Sequence, residues 1–321
     1  MPALLEVKRL TKKFQDNGKV ITAVDEVSFS INYGNVTGFL GLNGAGKTTT
    51  LKMITGLVAP DSGEMFFNGV PLADVTPANY RQNVYILLEG NRNLWWKLTV
   101  DENIRFVSNM LWQNYGGIKD MADRYLRRLQ LHSKKDSLVS DLSRGMQQKL
   151  CIILAALAPA KLVLMDEPTL GMDVESRQEA IGFIHDAVAE HDNKAFIVTS
   201  HDLDFIGQIA NRVIIMKNGK IIANATMNQL APMFAYGDYF VKVESAPEVL
   251  EQLPRLRQQY ALNNITHNGN EIGFDFFMKN TTVFYELMDE FRQIGAKVTG
   301  FGPQIPDFEE MFLRIVQGGN I

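Results

Sequence analysis

The stretch that most restricts this chain is Gly41-Leu42-Asn43-Gly44-Ala45-Gly46-Lys47-Thr48, with Thr49 and Thr50 behind it. Its G-x-x-x-x-G-K-[S/T] spacing is that of a phosphate-binding loop. Glycines let the backbone take φ > 0 and approach an anion with no Cβ in the way. Consecutive N–H groups then form a concave nest at the start of a helix, whose dipole favours negative charge. In that frame Lys47 reaches the β/γ-phosphates and Thr48 offers its hydroxyl to Mg²⁺. The flanks agree: Asn35-Val36-Thr37-Gly38-Phe39-Leu40 reads as a buried strand, and Thr49–Leu57 reads as a helix.

Composition narrows the rest. At 321 residues the chain predicts one large domain plus a small one. A net charge of −4 argues against a surface that coats nucleic acid. Cys151 is the single cysteine, so no internal disulfide and no cysteine metal site is expected, which suits a reducing compartment. The first residues lack a signal-peptide pattern. The longest apolar run, near Leu150–Ala160, falls short of the ~20 residues a membrane span needs. The expectation is a soluble protein whose membrane work, if any, needs spans from another chain.

Strand patterns fall at Leu4–Leu10, Ala23–Ile31, Glu64–Asn68 and Val84–Leu88, with a hairpin turn at Asp16-Asn17-Gly18. From Asn91 to about Pro159 the pattern turns helical, over Asp101–Trp112, Lys119–Leu131 and Ser143–Leu157. Strands return at Lys161–Met165 and Ala195–Ser200, separated by a Glu175–His191 helix; Val213–Met216 and Lys220–Ile222 follow as a strand pair. A parallel sheet wrapped by helices, with a helical insertion, is the simplest assembly. Beyond Met227–Tyr236 a strand (Asp238–Glu244), a helix interrupted at Pro254, a hairpin across Asn268-Gly269, a helix and a strand succeed one another, with a last helix over Asp307–Val316. This β-α-β-β-α-β order suggests a small ferredoxin-like α+β domain.

Four further stretches carry chemistry. Leu162-Val163-Leu164-Met165-Asp166-Glu167 is a buried strand that delivers two carboxylates at its end. Side chains alternate along a strand, so Asp166 and Glu167 cannot share one role: Asp166 is placed to hold Mg²⁺ through its waters and Glu167 to polarise an attacking water, and taken alone the pair reads equally as a solvated turn at the strand's end. Leu142-Ser143-Arg144-Gly145-Met146 opens the long apolar helix, with Ser143 as N-cap and Gly145 allowing close approach. Thr199-Ser200-His201-Asp202 places a histidine at a strand's carboxyl end, where sites in such sheets gather. His132, His185, His191 and His267 read as solvated residues.

With these stretches in this order, the chain resembles the nucleotide-binding subunit of an ATP-binding cassette (ABC) transporter. The implied fold is an α/β P-loop NTPase of ABC type over residues 1–230. It comprises a mixed sheet, an antiparallel β subdomain and a helical subdomain at about 91–160; an accessory α+β domain covers 231–321. Gly41–Thr48 resembles the Walker A loop, Leu142–Met146 the signature, Leu162–Glu167 Walker B, Gly171-Met172-Asp173 the D-loop and His201 the switch histidine. The resemblance implies an ATPase in which Phe14 stacks on adenine and Asn43, Gly44, Ala45, Gly46, Lys47, Thr48 and Thr49 hold the phosphates. Thr48, Glu89 and Asp166 serve Mg²⁺. Lys47, Asp166, Glu167 and His201 carry hydrolysis, and Ser143 and Gly145 act on the nucleotide of a second subunit. The implied assembly is a homodimer or heterodimer on the cytoplasmic face of a membrane, driving a separate permease, with no nucleic acid.

Two departures stand out: the signature reads Leu-Ser-Arg-Gly-Met, and Glu89 occupies the Q-loop glutamine position. The segment Glu89–Thr99 with Trp95 and Trp96 is similar to the exporter branch, and places that pair where the family's groove receives a permease helix; packing inside the helical subdomain is the other reading, for one of the rings at least. The C-terminal tail resembles that branch's accessory domain. A non-transport ABC ATPase, acting in cluster assembly or translation, is the alternative.

Overall fold

The computed structural model describes residues 3–16, 19–89, 93–191, 193–234, 238–278, 281–303 and 308–317. The Asn17-Gly18 turn, Gly90-Asn91-Arg92, Tyr236 and the Pro306-Asp307 pair lie outside them. The chain divides into two compact units, Met1–Met227 and Asn228–Ile321.

In the first unit, β3 (Val36–Gly41), β7 (Leu162–Asp166) and β8 (Ala195–Thr199) are buried along their whole length, as strands covered on both faces must be. They lie in a six-stranded sheet with β6 (Val84–Leu87), β9 (Arg212–Lys217) and β10 (Lys220–Thr226), in the order β10-β9-β3-β8-β7-β6. All neighbours are parallel except β9 and β10, a hairpin across Asn218-Gly219. A second, antiparallel sheet joins β1 (Leu5–Asp16), β2 (Lys19–Ile31), β4 (Ser62–Phe67) and β5 (Val70–Pro71) in the order β2-β1-β4-β5. One apolar core, including Leu10, Phe29, Phe39, Ile54, Leu164 and Ile197, joins both sheets.

Strand β1 runs well past the expected Leu10. A bulge with Arg9 in the left-handed region (φ 47) restarts the pairing, so Lys12, Lys13 and Phe14 remain in register with β2. Helix α1 (Lys47–Ile54) follows β3, and α2 (Pro77–Gln82), unforeseen in the sequence, is capped by Thr76, whose hydroxyl accepts from Asn79 N at 3.3 Å.

The helical stretch holds α3 (Val100–Met110), α4 (Tyr115–Arg128) and α5 (Arg144–Leu157). Thr99 and Glu102 form a reciprocal capping box for α3. Helix α6 (Val174–Glu190) is capped by Asp173, whose carboxylate accepts from Ser176 N at 2.7 Å. Helix α7 (Leu203–Ile209) is capped by Asp202, which also pairs with Arg177.

His191, expected to be solvated, is half-buried, and its Nε2 lies 3.1 Å from the Tyr125 hydroxyl, which donates to Glu190. This seam joins α4 to the end of α6, and burial lowers the pKa of the His191 imidazole. Trp95 packs on Phe106 of α3 with ring centroids 4.3 Å apart, and both Trp95 and Trp96 keep exposed faces.

The second unit holds α8 (Met227–Phe234) from its boundary onward, β11 (Asp238–Glu244), α9 (Pro247–Tyr260), β12 (Asn263–Asn268), β13 (Glu271–Phe277), α10 (Thr281–Gln293), β14 (Val298–Pro303) and α11 (Phe308–Gln317). Its antiparallel sheet runs β12-β13-β11-β14, so each outer strand returns beside an inner one, the split β-α-β arrangement of ferredoxin-like folds. Val241, Val243, Ile272, Phe274, Leu287 and Phe291 are among its core. The expected interruption at Pro254 does not occur: α9 continues through it with Val249 and Leu256 buried on either side. Tertiary burial outweighs the missing N–H bond there.

Candidate functional site

The loop between β3 and α1 gets its shape from its glycines. Gly41 (φ 151) and Gly46 (φ 103) are left-handed, and a Cβ on either would stand 2.4 Å from a backbone oxygen, that of Met216 or Ala23. Only glycine fits both demands. Gly46 is the N-cap of α1, and Gly44 (φ 78) turns the loop open to solvent. Lys47 Nζ donates to Gly41 O at 2.5 Å and Leu42 O at 3.3 Å, closing the loop on itself. Burial lowers the pKa of its ammonium, opposed by the charges of Glu167 and Asp166.

This loop forms one wall of an open cavity of 380 Å³. Asn43, Gly44, Ala45, Gly46, Lys47, Thr48 and Thr49 line it together with Phe14, Ala23, Glu89, Asp166, Glu167 and His201. Elements more than a hundred residues apart in sequence thus converge on one space. Parallel strands β3, β6, β7 and β8 end on the same side, so the segments leaving their carboxyl ends meet there.

At the end of β7 the two carboxylates are held differently. Asp166 accepts a hydrogen bond from the Thr199 hydroxyl. Glu167 has left-handed backbone (φ 50), uncommon for a residue with a side chain and the kind of local strain that persists where surroundings enforce it. Those surroundings are visible. Glu167 N donates to Thr199 O at 3.1 Å and Thr199 Oγ1 at 3.3 Å, and Glu167 O accepts from Gln148 Nε2 at 3.3 Å. Its side chain, with the residue 8% exposed, accepts from Ser200 Oγ and His201 N, both at 3.2 Å, and lies 3.3 Å from His201 Nε2. Burial raises the Glu167 pKa; the charge of His201 and these donors pull the other way. A carboxylate raised by burial yet still accepting hydrogen bonds suits a proton acceptor.

Thr199, Ser200 and Gln148 escaped the sequence reading as site residues, although Thr199 and Ser200 sit in the stretch that flagged His201. The available signal was that a hydroxyl at a buried strand's end needs a partner. Ser143 caps α5, accepting from Met146 N at 3.3 Å, and the space at Gly145 faces Ser176. Neither residue lines the cavity. Phe14 is 43% exposed at the cavity, with Lys12 Nζ 5.5 Å from its ring centre.

The residues fit a nucleotide triphosphate: a nest of loop N–H groups, a buried cation and an exposed aromatic ring share one cavity. They also fit Mg²⁺ of the phosphate-bound kind. Among the described residues no three His, Cys, Asp or Glu side chains cluster into a protein cage, and Mg²⁺ commonly takes one or two carboxylates with waters and substrate phosphates.

Known proteins agree. The ABC transporter family profile matches residues 24–170. The chain is 31% identical over 220 residues to the ABC transporter ATP-binding protein NatA of Bacillus subtilis, covering 68% of this chain and 88% of that one. It is 33% identical over 226 residues to the SkfA peptide export ATP-binding protein SkfE of the same organism, covering 70% and 90%. It is 27% identical over 322 residues to the phospholipid-transporting ATPase ABCA3 of Rattus norvegicus, where it spans 98% of this chain but only 18% of that protein. Among solved structures, an ATP-binding subunit of an ABC transporter superposes with a TM-score of 0.63 at 28% identity, covering 72% and 93%. A dimeric cassette in a post-hydrolysis state with ADP and Pi shares the fold, with a TM-score of 0.61 at 22% identity over 70% and 98%.

The chain belongs to the ABC transporter family. Within it, the fold and the relatives define an ATP-binding subunit that hydrolyses ATP. Among the described residues no helix is long and apolar enough to cross a membrane.

Proposed function

We propose that this chain powers export through a separate membrane permease, working as a head-to-tail dimer on the cytoplasmic face. The observation that carries the dimer is what lines the cavity: loop, carboxylates and histidine are there, while Ser143 and Gly145 are not. A γ-phosphate held by Lys47 then has an open side, and the exposed, capped start of α5 is the complementary surface on a second copy.

In this reading Phe14 stacks on adenine, and residues 43–49 hold the phosphates. Thr48, Glu89 and Asp166 would hold Mg²⁺, which would supply charge neutralisation to the phosphates. Glu167 takes the proton of the attacking water, and His201 holds the γ-phosphate. Closure of two subunits sequesters the nucleotides, and loss of phosphate reopens them, a cycle that a permease docked near Trp95 and Trp96 can follow. Export is supported by the likeness to a peptide export ATP-binding protein. The second unit serves as an accessory domain of the dimer.

The test is Glu167→Gln. The amide keeps the acceptor oxygen for Ser200 and His201 but cannot take a proton, so turnover falls by about 10²–10⁴-fold. With ATP and Mg²⁺ the variant elutes as a dimer in size-exclusion chromatography, and without ATP as a monomer. Turnover within tenfold of wild type, or no ATP-dependent dimer, would overturn this reading.

A further inference from the structure

Helix α5 ends where a helix is least satisfied, with its last carbonyls free of intrahelical partners and a partial negative charge at its end. Ala158 N closes back on Leu154 O, leaving later carbonyls without partners within the helix. Lys194 meets them from the start of β8. Its Nζ donates to Ala156 O at 2.8 Å and Ala158 O at 2.7 Å. The residue is 7% exposed, and no carboxylate among the described residues pairs with it. Its own backbone is pinned too, with N donating to His191 O at 2.9 Å and O accepting from Gly34 N at 2.7 Å.

We infer that Lys194 is a positioning residue that locks the carboxyl end of α5 to β8, so that Ser143 at the helix's other end is presented at a fixed place relative to the catalytic strands. Helix α5 is a rod whose buried apolar length transmits displacement from end to end. Its first two turns are fastened to the site by Gln148, which donates to Glu167 O, and to the preceding loop by Gln147, which donates to Val139 O and Leu142 O. Lys194 fastens the far end. From there β8 runs five residues to Thr199, whose oxygens accept from Glu167 N. The signature serine and the proton acceptor are thereby parts of one braced frame. Burial lowers the Lys194 pKa to about 8, a penalty that an apolar side chain of similar length would avoid. Filling space therefore does not account for a lysine here; joining two carbonyls does.

The inference rests on the head-to-tail reading, and the experiment separates the two. In the Glu167→Gln background, Lys194→Met and Lys194→Arg are compared for ATP-dependent dimer formation. Absence of a dimer in Glu167→Gln alone defeats the head-to-tail reading. A dimer there that persists at the same protein and ATP concentrations in Glu167→Gln/Lys194→Met defeats the role of Lys194.

In the otherwise wild-type chain, Lys194→Met is expected to lower kcat about tenfold or more per folded molecule. ATP affinity of the monomer, titrated at protein concentrations where no dimer forms, should stay within about twofold, because the cavity walls are untouched. Lys194→Arg, which keeps charge and donors, should recover most of kcat. A loss of monomer ATP affinity matching the kcat loss, or no rescue by arginine, overturns the inference. If Lys194→Met does not fold, Lys194→Gln keeps one donor and replaces it in these measurements. A lowered kcat with monomer ATP affinity retained supports the inference, and wild-type kcat overturns it.

Discussion

Replacing Thr199 by valine removes one oxygen from the site and little else. Thr199 is 1% exposed in β8, and valine retains its branched shape and suits a buried parallel strand. The hydroxyl has two dealings, donating to Asp166 and accepting from Glu167 N at 3.3 Å. The second is backed up, because Glu167 N also donates to Thr199 O at 3.1 Å. The first has no such reserve, since it is the charge-assisted bond to a carboxylate that is itself buried. A hydrogen bond to a charged group is worth about 1.5–3 kcal/mol, and each kcal/mol moves Tm by about 2–4 °C in a unit of this size, so Tm should fall by about 3–12 °C.

Calorimetry without nucleotide, following the unfolding of the larger unit, measures this. Thr199→Ser is the control, since it keeps the hydroxyl and loses one methyl, worth about 1 kcal/mol. Turnover should fall in Thr199→Val and recover in Thr199→Ser. A Thr199→Val protein melting within about 1 °C of wild type would refute the reasoning, as would a serine variant as impaired in turnover as the valine one.

Three more expectations rest on the same cavity. Phe14→Ala should weaken nucleotide binding by about 1–3 kcal/mol, the worth of one base–aromatic stack; an unchanged affinity in a titration with ATP would show the ring does not touch the base. Lys47→Ala removes a unit charge worth about 4 kcal/mol at ~4 Å and an effective dielectric near 20, so turnover should fall on the order of 10³-fold. An ATPase rate within tenfold of wild type would exclude that role. Ser200→Ala takes away a donor that holds Glu167 ionised. Burial already raises this pKa, so losing the donor raises it further, and the acid limb of the rate profile should move to higher pH. A limb that stays in place would mean that Glu167 is not the group titrating.

What could be read from residues alone was whatever depends on local spacing. The phosphate loop was legible because two structural demands, left-handed backbone and close approach to the oxygens of Met216 and Ala23, both require glycine at Gly41 and Gly46. The buried runs of β3, β7 and β8 were legible because strands covered on both faces are apolar throughout. What stayed hidden depends on partners remote in sequence. Nothing near Glu167 announces its left-handed backbone; the cause lies at Thr199, thirty-two positions away, and at Gln148, nineteen before it. Lys194 reads as an ordinary charged residue before a strand until α5 arrives to offer its carbonyls. Pro254 misled in the opposite direction, and the strand expected to stop at Leu10 runs on. A helix breaker was overruled by burial on both sides of the proline, and the pairing of β1 with β2 resumes past Leu10 through a bulge. Local pattern therefore located residues that line the cavity, while their alignment arises from long-range bonds between strand ends and helix ends. Substitutions at Thr199 and Lys194 test that division directly, since neither side chain lines the cavity.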